Sequence, residues 1–94
     1  MPRVVRTPSV MTKVGKRLRR ARAVLRLRSR DFAASINVRP NTYSQWETGS
    51  RLMDIVSATA LADRYGLTLD WLYRGDVDTL SHALARKLIE QEKE

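Results

Sequence analysis

Apolar side chains recur along this chain at spacings of three and four, and nowhere in the alternation of a strand. That is the period of helices that bury one face. Val14, Leu18, Ala21 and Leu25 form the first stripe. Thr12 stands ahead of it as an N-cap, so a first helix is predicted from Thr12 to about Arg26. Met1–Met11 hold two prolines, two arginines and no helical period, and read as a flexible basic arm. Phe32, Ala33 and Ile36 mark the buried side of a second helix, Ser29–Ile36, capped by Ser29 and favoured by Asp31 at its positive end. Asn37 interrupts it with a residue that tolerates positive φ. A third helix runs from Pro40, suited to a first helical position, to Thr48, and Gly49 stops it. Tyr43 and Trp46 share one of its faces.

Farther along, Ile55, Ala58, Leu61 and Ala62 predict a fourth helix over Asp54–Tyr65, ended by Gly66. Thr68 or Asp70 caps a short fifth helix through Trp71, Leu72 and Tyr73, before the turn Arg74-Gly75-Asp76. Leu80, Ala83, Leu84, Leu88 and Gln91 form the narrow stripe of a sixth. The predicted fold is all-α. It comprises an arm (1–11), a five-helix domain (12–76) and a C-terminal helix (77–94). The stripe Leu80, Leu84 and Leu88 serves either a dimer interface or packing on its own domain.

Composition narrows the chemistry. The chain lacks cysteine, which removes disulfides and thiolate metal sites, and its one histidine, His82, cannot assemble a metal site alone. No nucleophile–base pair and no phosphate-cradling glycine loop is present, so neither an enzyme nor a cofactor or small-molecule substrate is expected. Apolar runs fall far short of the roughly 20 residues of a membrane span, and Met1–Thr12 lacks the apolar stretch of a secretory signal. A cytoplasmic protein with no membrane partner is the expectation.

Charge adds a direction. Residues 1–51 hold 13 of the 18 Lys and Arg and 2 of the 10 Asp and Glu, a net +11; residues 52–94 carry 5 basic and 8 acidic residues, a net −3. A merely solubilising surface would mix the signs. Segregation turns the first half toward a polyanion. In that half lie two short helices joined by a tight turn, as in a helix-turn-helix. Small Ala33 permits their close approach, and Val38, Tyr43 and Trp46 anchor the second helix from behind. Asn41, Ser44 and Gln45 are left facing outward. Asn and Gln amides carry a donor and an acceptor, which suits bidentate contacts to adenine in the major groove.

Ser29–Gly49, SRDFAASINVRPNTYSQWETG, resembles the helix-turn-helix of the Cro/C1-type (XRE-like) transcriptional regulators. It shares their early small Ala, the Val after the turn, the Thr in the first turn of the recognition helix, and the closing Glu47-x-Gly49. The likeness extends from about Val14 to Asp76, and Leu67–Asp76 looks like the fifth helix of that lambda-repressor-like domain. The resemblance implies base contacts from Pro40, Asn41, Ser44 and Gln45, and phosphate contacts from Ser29, Arg39, Thr42 and Arg51. Lys13, Lys16 and Arg17 of the first helix, with Arg28 and Arg30 beside the second, join the expected phosphate contacts. Glu47 matches a family glutamate that pairs with an arginine of the first helix, and spacing makes Arg22 the partner of a structural ion pair. Departures are Ser29 for the usual glutamine, Asn37 for the turn glycine, Arg39 for the capping serine and Tyr43 for a β-branched anchor. The implied function is a repressor that binds double-stranded DNA as a homodimer on a pseudo-palindromic operator, in the nucleoid of a bacterium or from a phage. The alternative is an antitoxin that binds a toxin protein and autoregulates its operon.

Overall fold

The computed structural model describes residues 8–92, which form helices joined by short turns and loops, with no strand among them. The first helix, α1 (Pro8–Leu25), begins four residues ahead of Thr12, so the end of the predicted arm is helical and Thr12 lies inside a helix rather than capping it. Residues 1–7 of that arm lie outside the described residues. Val14, Leu18 and Ala21 are buried, as their spacing predicted. The helix closes through Arg26 at φ 59, with Arg26 N–H on the Ala23 carbonyl (3.1 Å) and Leu27 N–H on that of Arg22 (2.9 Å). A residue with a Cβ is costly there, and glycine is the usual choice.

Helix α2 (Ser29–Ser35) ends one residue before the predicted boundary. Its capping residue is Arg28, whose side chain makes no capping bond; Ser29 sits one position too far inside to serve. Asn37 takes φ 63, and Val38 N–H returns to the Ala33 carbonyl at 2.9 Å. Helix α3 (Pro40–Thr48) starts with its proline at the first position and ends on Gly49 at φ 81, as predicted. Helix α4 (Ile55–Tyr65) is capped by Asp54, which accepts from Ser57 N–H at 3.0 Å and from Ser57 Oγ at 2.8 Å. Ile55, predicted to be buried, is 56% exposed, because the stripe meets the core only from Ala58 onward.

The predicted fifth helix is a wide, π-helical turn, Asp70–Arg74. Of its two candidate caps the bond is made by Thr68, whose Oγ1 accepts from Trp71 N–H at 3.0 Å. A 3₁₀ turn, Val77–Thr79, leads to α5 (His82–Glu92), the predicted sixth helix. Leu80 and Leu88 are buried and Leu84 half-buried against the domain's own core. The leucine stripe therefore packs on its own domain.

The core is aromatic around α2 and α3. Phe32 meets the edge of Tyr43 at 5.6 Å and tilts against Tyr65 at 5.3 Å, and Tyr43 meets Trp46 at 5.8 Å. Such pairs add directional preference to apolar burial. The half-buried hydroxyls find partners: Tyr65 donates to Ser35 Oγ (2.6 Å) and Tyr73 to the Met53 carbonyl (2.7 Å). Among the described residues no buried side-chain polar atom lacks a hydrogen bond.

Candidate nucleic-acid interface

Helix α3 carries two opposed faces. Tyr43 and Trp46 are buried, and Pro40, Asn41, Ser44 and Gln45 are exposed. Asn41, Ser44, Gln45 and Thr48 share one side because positions three, four and seven apart do so on any α-helix. Arg39 at the entry and Arg51 past the exit are exposed as well, and Thr42 is half-buried. Arg28, Ser29 and Arg30 are exposed at the start of α2, which the turn sets before α3.

What holds α3 in place is a seam with α1. Gly15 lies buried inside α1, where a Cβ would collide with the backbone oxygens of Glu47 and of Trp46, the latter at 2.5 Å. Glycine in mid-helix ordinarily destabilises by roughly 0.5–1 kcal/mol. Here it lets the end of α3 approach the α1 backbone. Sequence reasoning passed over Gly15; the available signal was a glycine inside an otherwise good helical pattern.

Beside that contact Arg22 grips Glu47 with two bonds, Nε to Oε2 at 2.5 Å and Nη2 to Oε1 at 3.1 Å. The two residues paired by spacing are thus in contact. Tyr43 Oη also donates to Glu47 Oε2, at 2.5 Å, and Arg19 Nε lies 3.6 Å from Oε1. Reading Tyr43 only as an apolar anchor missed that hydroxyl, for a one-dimensional pattern records the ring and not where its tip ends. Burial alone would raise the Glu47 carboxyl; the Arg22 and Tyr43 hydrogen bonds and the arginine charges overrule it and hold it below the ordinary carboxylate range. The bond to Glu47 raises the Arg22 guanidinium further. Burial first, then the Glu47 bond and charge, push the Tyr43 hydroxyl well up, so it remains a donor.

The cations of α1 divide between two sides. Arg19 and Arg22 face Glu47. Lys13, Lys16, Arg17 and Arg20 line a groove of about 280 Å³ with Trp71, Gly75 and Val77. At 100° per residue the centre of this second group lies about two fifths of a turn round the helix from Gly15, Arg19 and Arg22. Arg17 Nη1 donates to the Leu72 carbonyl at 3.0 Å, so this expected phosphate contact also ties α1 to the π-helical turn. The groove therefore lies on a different side of α1 from the seam that carries α3.

The exit of α3 is bound tightly. The Gln45 carbonyl accepts from Ser50 N–H (3.0 Å), Arg51 N–H (3.2 Å) and the hydroxyls of Thr48 (3.2 Å) and Ser50 (3.3 Å). The Gln45 side chain accepts from Arg51 Nη1 at 3.3 Å. Among the described residues no group of three His, Cys, Asp or Glu could hold a metal ion, and no helix is long and apolar enough to cross a membrane.

Comparison with curated proteins and with solved structures returned no match. Comparison with family models matched residues 15–76, about two thirds of the chain, to one described as a helix-turn-helix domain. That stretch runs from Gly15 at the α1–α3 seam to the turn after Gly75 and contains the whole of α2, α3 and α4. Matched over that length, and folded with two short helices about a tight turn, the chain belongs to the helix-turn-helix domain family of the Cro/C1 (XRE-like) type.

Proposed function

We propose that this chain is a sequence-specific transcriptional regulator that represses by occupying an operator, with α3 laid in the major groove. One observation carries the reading: an exposed edge of amides and hydroxyls, Asn41, Ser44 and Gln45, on a helix whose other side is pinned to α1. Amide side chains read base edges, whereas a purely electrostatic binder would present lysine and arginine there. Pro40 joins that edge. Arg39 and Thr42 flank it, and Arg28, Ser29 and Arg30 stand before it, in reach of the phosphates on either side of a groove, while Arg51 stands at its exit beside Gln45. Helix-turn-helix proteins gain specificity by pairing two recognition helices about one DNA turn apart. With Leu80 and Leu88 packed internally, the exposed large apolar side chains among the described residues that a second copy could cover are Leu52, Ile55 and Val56, at 45%, 56% and 75%, with Val10 and Ile89 less exposed at 38% and 39%.

The test is selection from a random duplex pool with the full chain. The expected result is one enriched, twofold-symmetric motif whose half-sites lie about one helical turn apart. Equal retention of all sequences would overturn the reading.

A further inference from the structure

We propose that Arg51 is a specificity-determining residue that fixes the orientation of the Gln45 amide and makes Gln45 a reader of guanine rather than adenine. The inference rests on the major-groove reading above. Gly49, at φ 81, turns the chain back on itself, and the Gln45 carbonyl gathers the N–H groups of Ser50 and Arg51. The backbone itself brings Arg51 to Gln45, and the guanidinium then donates from Nη1 to Gln45 Oε1 at 3.3 Å. A guanidinium has five donors and no acceptor. The amide must therefore turn its oxygen to Arg51 and its NH₂ group away; no other orientation makes this bond.

The orientation decides what the amide can read. The bidentate pair with adenine needs the Gln oxygen to accept from N6 and the Gln nitrogen to donate to N7. Arg51 takes one lone pair of that oxygen and sets a positive charge beside the other, where the adenine amino group would have to come. Guanine presents two acceptors, O6 and N7, in the same groove. Gln45 Nε2, turned outward by Arg51, has two protons to donate to them. A simple phosphate clamp would instead leave the amide free to turn either way.

The experiment selects bound duplexes from a random pool with the wild type, Gln45→Ala, Arg51→Ala and Arg51→Lys. Gln45→Ala identifies the base pair that Gln45 reads, as the position whose preference disappears. The wild type is expected to carry guanine there. Arg51→Ala is expected to shift that position alone from guanine toward adenine by about tenfold, the scale of one bidentate base contact. Arg51→Lys, which also only donates, should retain part of the guanine preference. Uniform weakening of all sequences in Arg51→Ala, with the salt slope lowered by about 0.9 and the guanine-to-adenine ratio unchanged, marks a phosphate contact and overturns the inference. Adenine in the wild-type motif at that position overturns it too. A wild-type pool with no enriched motif overturns the underlying major-groove reading instead, so the two failures are distinct.

Discussion

The two sides of α3 follow opposite rules. Toward α1 every group is matched: Gly15 leaves no room for a Cβ, and Glu47 is held by Arg22 and Tyr43. Toward solvent, Asn41 and Ser44 are exposed, and the exposed Gln45 amide accepts from Arg51. The contrast separates stability from readout. A helix can present loosely held polar groups to DNA only if its back is fixed, since base contacts demand placement within a fraction of an ångström. Substitutions on the two sides should therefore fail in different assays.

The largest expected effect is at the seam. Glu47→Ala strands Arg22 and the Tyr43 hydroxyl, and should destabilise the fold by about 2–3 kcal/mol, at or just under the range for breaking a fully buried pair because this one is part-buried. Chemical denaturation measures this directly. The same carboxylate sets a pH dependence. Its folded value lies below its ordinary one, so its contribution is complete above the unfolded value near 4.3 and disappears as pH falls through the folded value. Melting temperature should therefore drop steeply below about pH 4. Glu47→Gln should flatten that drop, and Asp54, whose carboxyl is lowered by the Ser57 backbone N–H at the start of α4, contributes to the slope that remains.

Gly15→Ala comes next. One methyl pushed against the α3 backbone should destabilise by about 2 kcal/mol, within the usual range for overpacking. An alanine at an ordinary helix interior would instead stabilise, so a raised melting temperature would show that the seam can open. On the outer face, Asn41→Ala should leave the melting temperature unchanged and lower affinity for the selected site by about 1–3 kcal/mol, with little loss on random DNA. Equal loss on both would make Asn41 a general backbone contact. The smallest effect lies at the end of α1. Arg26→Gly should stabilise by up to about 1 kcal/mol, by relieving a left-handed residue that carries a Cβ.

Much of this was readable one helix at a time. The stripe Val14–Leu18–Ala21, the bounds of α3 and the stops at Gly49 and Gly66 follow from period and backbone chemistry alone. Arg22 and Glu47 were paired through a family likeness, and the coordinates bring them together. Errors gathered where a local signal had a rival. Thr12 is a good cap, but α1 continues past it to Pro8. Ser29 is a good cap one residue out of place. Ile55 fits a stripe whose first turn overhangs the core.

Local chemistry along the chain specifies the helical class, the segregation of charge, the turn at Asn37 and the polar composition of the reading edge. Periodicity, net charge and φ preference are properties of neighbours along a chain, so they can be read there. Tertiary structure decided which faces are consumed. It buried Leu80 and Leu88 in their own domain, set Lys13, Lys16, Arg17 and Arg20 on a different side of α1 from α3, and closed Tyr43 onto Glu47. It also brought Arg51 to the Gln45 amide. Each of these depends on distances between segments far apart in sequence or on the path of a turn. No pattern of residue types specifies such distances until the helices have packed.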